Sequence, residues 1–261
     1  MLNFSELGNF AGRYGVSEDK KLIFATVSGS HSYGFPSDDS DIDLRACYVE
    51  KIVNLFRLEN LKETIKKKDF IKGIEIDFVG YEIKKFLKLM LKGNGNVFEQ
   101  LYSPLVVVTS EYHAQLKPLG KLAITKKTYF HYLGFGNNKL NEARKENFSD
   151  VKVNLYLLRT LMTGINALET GEINQNIAEL NKKFKLPVID TLIALKNEKE
   201  TVKINVKNID IKRDVENAAT KLQKILNDAY KSSNLKDALS EEDMEKFNEF
   251  LIKVRMENLK I

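Results

Sequence analysis

Cysteine and tryptophan are scarce in this chain: Cys47 stands alone, and there is no Trp among 261 residues. A single thiol excludes an internal disulfide and any cysteine-based zinc cluster. The three histidines, His31, His113 and His131, are too scattered to form a zinc motif. No apolar run approaches the roughly 18 residues of a membrane span, and Met1-Leu2-Asn3-Phe4-Ser5-Glu6 lacks the basic-then-apolar order of a signal peptide. These absences predict a cytoplasmic protein with no membrane partner. A large net charge is also lacking. Residues 1–110 balance 15 Lys+Arg against 15 Asp+Glu, so the formal +5 resides in the second part, with 26 against 21. Such a surface can attract an acidic partner such as RNA, although an excess this small also fits the general Lys, Asn and Ile bias of the chain.

What is present is globular in character: 43% apolar and 30% charged residues, enough for one large core or two modest ones. Leu22-Ile23-Phe24-Ala25-Thr26-Val27 reads as a buried strand ending at Gly29-Ser30. Glycine there lets the backbone approach a phosphate, and a helix opening at the turn would add free N–H groups. Asp41-Ile42-Asp43-Leu44 begins a second strand, and alternation sends Asp41 and Asp43 to one face. Two carboxylates side by side repel unless a cation lies between them, and magnesium takes such oxygen ligands together with substrate phosphates. Cys47, on the same strand, reads as a buried, inert thiol.

Gly29-Ser30, a spacer of ten residues and Asp41-Ile42-Asp43 together resemble the signature of the DNA polymerase β-like nucleotidyltransferase superfamily, which includes kanamycin nucleotidyltransferase, CCA-adding enzymes and minimal nucleotidyltransferases. The resemblance implies a third carboxylate on a later strand. Gly73-Ile74-Glu75-Ile76-Asp77-Phe78-Val79-Gly80 supplies it as Asp77, with Glu75 on the same face as an alternative. The stretches at residues 79–87, 93–101 and 103–106, and more weakly Lys152 to Arg159, are similar to bacterial and phage nucleotidyltransferases of unassigned role. The implied fold is α/β (α+β): a mixed sheet flanked by helices over residues 1–115, then an all-helical domain over 116–261 that closes the cleft on nucleotide and acceptor.

The implied reaction is metal-dependent transfer of an NMP from an NTP to an acceptor hydroxyl, releasing pyrophosphate. Asp41, Asp43 and Asp77 are the expected catalytic and metal-binding residues, with Mg²⁺ or Mn²⁺ as the ion. Gly29 and Ser30 are expected at the β- and γ-phosphates, with Ser40 and Ser32 as weaker helpers. Lys152 and Arg159, seven residues apart on one helix face, are expected to neutralise the triphosphate. An RNA or tRNA end suits the charge best as acceptor; a protein or small-molecule acceptor, and a non-catalytic or antitoxin-like nucleotide-binding module, are the alternatives. The residues say nothing of oligomeric state.

Elsewhere the pattern predicts an opening helix over 2–14 and strands near 21–28, 41–50, 74–80 and 104–109. Between the second and third strands the mixed run from Ile52 to Lys72 reads as a loop or helix face, and Lys66-Lys67-Lys68 within it can flank a triphosphate or an acceptor backbone. Helices are expected at 83–91, 97–101, from about 150 to Gly171, and over 175–184, 188–198, 210–230 and 240–258. Pro118 and Gly120 read as punctuation at the domain boundary. Glu99 reads as a solvated or substrate-positioning acid, and the aromatic stretch Tyr129 to Leu133 as core rather than a base-stacking surface.

Overall fold

The computed structural model describes residues 3–15, 20–205 and 209–258. They form two compact units. Of the described residues, those within 1–29, 41–123 and 239–261 make up the first and those within 30–40 and 124–238 the second.

The first unit is built on a five-stranded mixed sheet: β1 (Lys20–Ser28), β2 (Ile42–Glu50), β3 (Thr64–Ile71), β4 (Ile74–Glu82) and β5 (Val106–Val108), in the order β3-β4-β2-β1-β5. β2 and β4 are parallel; every other pair is antiparallel. Apolar residues at alternate positions of β2 and β4 (Ile42, Leu44, Ala46, Tyr48, Ile76 and Phe78) face α1 (Phe4–Gly15), whose Leu7, Phe10 and Ala11 complete that core. The opposite face is covered in part by α3 (Ile83–Leu91), α4 (Gly95–Leu101) and α5 (Glu111–Ala123). Cys47 lies fully buried in β2, where burial pushes its thiol well above the ordinary value, so the inert reading holds. His113 is likewise a core residue, stacked on Phe24 at 4.6 Å between ring centroids.

Three features depart from the sequence reading. The run ending in Lys66-Lys67-Lys68 is an edge strand, β3, rather than a loop or helix face. Pro118 and Gly120 do not punctuate a boundary but lie inside α5, where a Cβ on Gly120 would come within 2.5 Å of Leu101, so glycine permits the close approach of α5 to the end of α4. The last helix, α11 (Glu241–Glu257), belongs to the sheet unit instead of extending the helical one, so the division is not a single cut near residue 115. Its Arg255 donates to the fully buried Glu82 at 2.9 Å, and Glu82 also accepts from the Lys84 N–H as the N-cap of α3. Burial pushes the Glu82 carboxyl up, and Arg255 opposes that shift.

The second unit contains α6 (Thr128–Lys145), α7 (Val151–Thr170), α8 (Ile177–Phe184), α9 (Pro187–Glu198) and α10 (Ile209–Ser232). α7 is its axis: Leu155, Leu158, Leu161, Met162 and Ile165 are fully buried, and the helix ends as expected at Gly171, whose φ of 69° forms the left-handed cap. A Cβ on Gly164 would stand 2.6 Å from Tyr132 of α6, so this glycine sets the approach of the two helices without interrupting α7. Tyr132 is core as expected, whereas Phe130 is largely exposed.

Candidate active site

The buried strand β1 delivers Gly29 at its end, and φ at that residue is 65°, a conformation glycine adopts without strain. The short helix α2 (Gly29–Tyr33) opens there, as the sequence suggested, and the Ser30 carbonyl accepts from the N–H groups of Gly34 and Phe35, each at 3.1 Å. Ser28 lies directly opposite Asp43 in the β1–β2 pair. A Cβ placed on Gly29 would therefore fall 1.9 Å from Asp43 Oδ2. The glycine makes room for the carboxylate.

Asp43 is in turn directly opposite Asp77 in the parallel β2–β4 pair, and Asp77 is opposite Lys68 in β3. Residues paired across neighbouring strands share a face and stand about 5 Å apart. Ser28, Asp43, Asp77 and Lys68 thus form one transverse row over four strands, on the face away from α1. Glu75, two residues along β4, shares this face but pairs with Lys68 at 2.7 Å rather than joining the other acids. Asp41 is partly exposed just ahead of β2, and its charge, like that of Asp77, acts on Lys68.

Between the paired acids lies Arg45, which the sequence reading missed. Its Nη2 donates to Asp43 Oδ1 at 2.5 Å and to Asp77 Oδ2 at 3.2 Å, and its Nη1 to the Asp77 carbonyl at 2.6 Å. The signal was present: Arg45 is two residues after Asp43 on a strand, hence on the same face. Like charges this close need a positive partner, and the guanidinium fork provides it.

Oxygen donors on adjacent strands, with Asp43 held against a glycine turn, are the kind a magnesium-class ion takes. The donor set fits such an ion. Among the described residues no group of three or more His, Cys, Asp and Glu is gathered to hold a metal, and Arg45 bridges Asp43 and Asp77.

The remaining expected site residues lie in the second unit. Ser40 is buried and donates to Glu200 Oε2 at 2.6 Å, and Lys152 donates to Oε1 of the same carboxylate. Lys196, fully buried, donates to Glu200 at 2.7 Å and to Ser37 at 2.9 Å. Arg159 is buried with its guanidinium 3.7 Å from the centre of the Tyr33 ring, at the end of α2. Lys152 also lines an open cleft of about 370 Å³ with Lys139, Asp150 and Tyr156. Glu99, on α4 of the first unit, is buried rather than solvated.

Burial alone would push the Glu200 carboxyl up, yet the hydrogen bonds from Lys152, Lys196 and Ser40 prevail and hold it at about 2, against an ordinary 4.5. A folded value below the unfolded one means that this network stabilises fully above about pH 4.5 and is lost as pH falls towards 2. Glu200→Gln is therefore expected to flatten the fall of Tm over that acid range in thermal melts; an unchanged slope would remove Glu200 as its source. No local sequence signal points to Glu200, which meets Ser40 across a long span of chain.

Comparison with known proteins bears on this geometry. Residues 4–253 match the model of the RlaP family, described as an RNA repair pathway DNA polymerase beta family. The chain belongs to this family. A relative from Methanocaldococcus jannaschii, the uncharacterized protein MJ0002, is 31% identical over 226 residues, covering 84% of this chain and 88% of its own. The uncharacterized YcgL of Bacillus subtilis is 31% identical over 159 residues, 60% of this chain and 58% of its own. A solved nucleotidyltransferase-like protein from Exiguobacterium sibiricum aligns with 95% of this chain and 78% of its own length, at 12% identity and a TM-score of 0.31. The matched family is a DNA polymerase beta family, so the polymerase β-like superfamily expected from Gly29-Ser30 and Asp41-Ile42-Asp43 is shown. Among the described residues no helix is long and apolar enough to cross a membrane.

Proposed function

We propose that the protein is a metal-dependent nucleotidyltransferase that transfers an NMP from an NTP to a hydroxyl at an RNA end, releasing pyrophosphate. The observation that carries this reading is the row in which Gly29 abuts Asp43 and Asp43 pairs with Asp77. Family membership supports it, and the phrase RNA repair in the family description favours RNA over protein or small-molecule acceptors.

Asp41, Asp43 and Asp77 are the residues that would hold Mg²⁺ or Mn²⁺. Such an ion, when bound, supplies positive charge to the triphosphate and acceptor oxygens. The chain's own groups do the rest. Gly29 and Ser30 present backbone N–H groups to the β- and γ-phosphates. Asp77 takes the proton of the acceptor hydroxyl as its oxygen attacks the α-phosphorus; the bond from that phosphorus to the bridging oxygen breaks and pyrophosphate leaves. Arg45 must release at least one carboxylate for the acids to serve as ligands, and its cation is then available to phosphate oxygens.

The test is incubation with each α-labelled NTP, Mg²⁺ or Mn²⁺, and cellular RNA, protein or small-molecule fractions, following both label and pyrophosphate. Label in RNA with equimolar pyrophosphate is the expected result. The grip of Arg45 on both acids favours one rival, a nucleotide-binding module without turnover. NTP binding with no pyrophosphate from any fraction would establish that rival instead.

A further inference from the structure

The row of paired residues has a direction. Across the sheet it runs from the Gly29 turn at the end of β1, through Asp43 and Asp77, to Lys68 on the edge strand β3. The carboxylates therefore separate the phosphate-binding turn from the outer strand. A nucleotide seated at Gly29 leaves the β3 side of the acids for the second substrate.

Register decides what that side presents. Lys68 is opposite Asp77, Lys66 opposite Val79 and Phe70 opposite Glu75, so all three stand on the face that carries the acids. Lys67 is opposite Phe78, a member of the core beneath α1, and so stands on the other face. Ile65 and Ile71, in the same alternation as Lys67, pack against that core and fix the register. The Lys68 side chain is 69% exposed and Phe70 is 65% exposed. Its resident partner, Glu75, is a surface acid, and such pairs exchange readily for other charges.

Lysines on an edge strand commonly serve to keep other strands from pairing there. That purpose is indifferent to face: Lys67 would serve it as well as Lys66 or Lys68. An exposed aromatic ring interleaved with two lysines, beside a carboxylate pair, instead matches single-stranded nucleic acid, whose backbone takes the cations and whose bases stack on the ring.

We propose that the acid-side stripe Lys66-Lys68-Phe70 of β3 is the track along which the acceptor RNA approaches its reacting end. Lys66 and Lys68 engage backbone phosphates, and Phe70 stacks a base. This rests on the catalytic reading for its purpose, but the binding it asserts needs no turnover.

The experiment measures binding of a fluorescent single-stranded RNA oligonucleotide to the full chain by anisotropy, without NTP, over a range of salt. Lys66→Ala/Lys68→Ala is expected to weaken binding about tenfold and to reduce the log–log salt slope by about 1.4, the value for two lost single-strand phosphate contacts. Phe70→Ala is expected to weaken it at least about fivefold with the slope unchanged. Lys67→Ala is expected to bind as the parent does, and Lys66→Arg/Lys68→Arg to retain affinity. Equal Tm values establish that the variants are folded. Loss of binding in Lys67→Ala equal to that of the double variant, parental binding by the double variant, or no RNA binding by the parent would each overturn the proposal. RNA binding along the stripe without pyrophosphate release would remove the catalytic reading and leave this surface standing; pyrophosphate release with labelled RNA and an indifferent stripe would do the reverse.

Discussion

Asp43→Ala is expected to lower nucleotidyl transfer by about three orders of magnitude or more, the scale on which removing one preorganised transition-state contact is felt, while the protein stays folded. Asp43 is the central member of the row: it contacts Gly29 on one side and shares Arg45 with Asp77 on the other. On the proposed reading its removal takes a ligand from the ion, and it releases Arg45 to Asp77 alone. The side chain is partly exposed and its loss relieves repulsion, so no buried cavity results. Pyrophosphate release at saturating NTP, set beside a thermal melt, checks both halves. Asp41→Ala is expected to behave alike. Near-parental turnover in either variant would remove that residue from the site, and in Asp43→Ala it would remove the site altogether.

The second large effect is expected at Gly29. Alanine there must adopt a φ of 65°, a strain of roughly 1–2 kcal/mol for a residue with a Cβ. It must also displace Asp43, because a Cβ and Oδ2 cannot lie 1.9 Å apart. Gly29→Ala should therefore lose activity about as severely as Asp43→Ala and lower Tm by several degrees, since about 1 kcal/mol corresponds to some 2–4 °C in a domain of this size. The two mechanisms separate in a double variant. Gly29→Ala/Asp43→Ala removes the collision and keeps only the backbone strain, so it should melt above Gly29→Ala, a departure from additivity that residues in contact produce. If the double variant melts as low as the sum of the singles implies, the carboxylate does not press on the turn.

Those two positions were legible before any coordinates because each combines a residue type with a local pattern. A strand of apolar residues, a glycine that must turn and acids spaced by two leave little freedom for where Gly29 and Asp43 go. Asp77 was legible for the same reason, from alternating apolar and acidic residues. β3 was not: Thr64-Ile65-Lys66-Lys67-Lys68 breaks the alternation that marks a half-buried strand, because an edge strand gains its hydrogen bonds from one neighbour and leaves much of its surface in water. Arg45 was readable by its spacing, two residues beyond Asp43 on the same strand. Glu200 and its buried partner Lys196 carried no local mark. Their role arises only when Ser37 and Ser40 meet them, and contacts so distant in sequence are set by tertiary packing. The packing of α11 was hidden likewise: its amphipathic pattern specifies a helix but not which core receives it.

The place of α11 has a consequence for how the molecule is made. The sheet unit draws on both early and late residues, with the helical unit's long segment between them. On the ribosome, the strands carrying Asp43 and Asp77 emerge well before the residue that neutralises Glu82, and that carboxylate waits without its cation until Arg255 is synthesised. The helical unit is by then complete in the nascent polypeptide. The acid-bearing sheet unit thus gains the cation for its buried acid only after the long segment of the helical unit has been made.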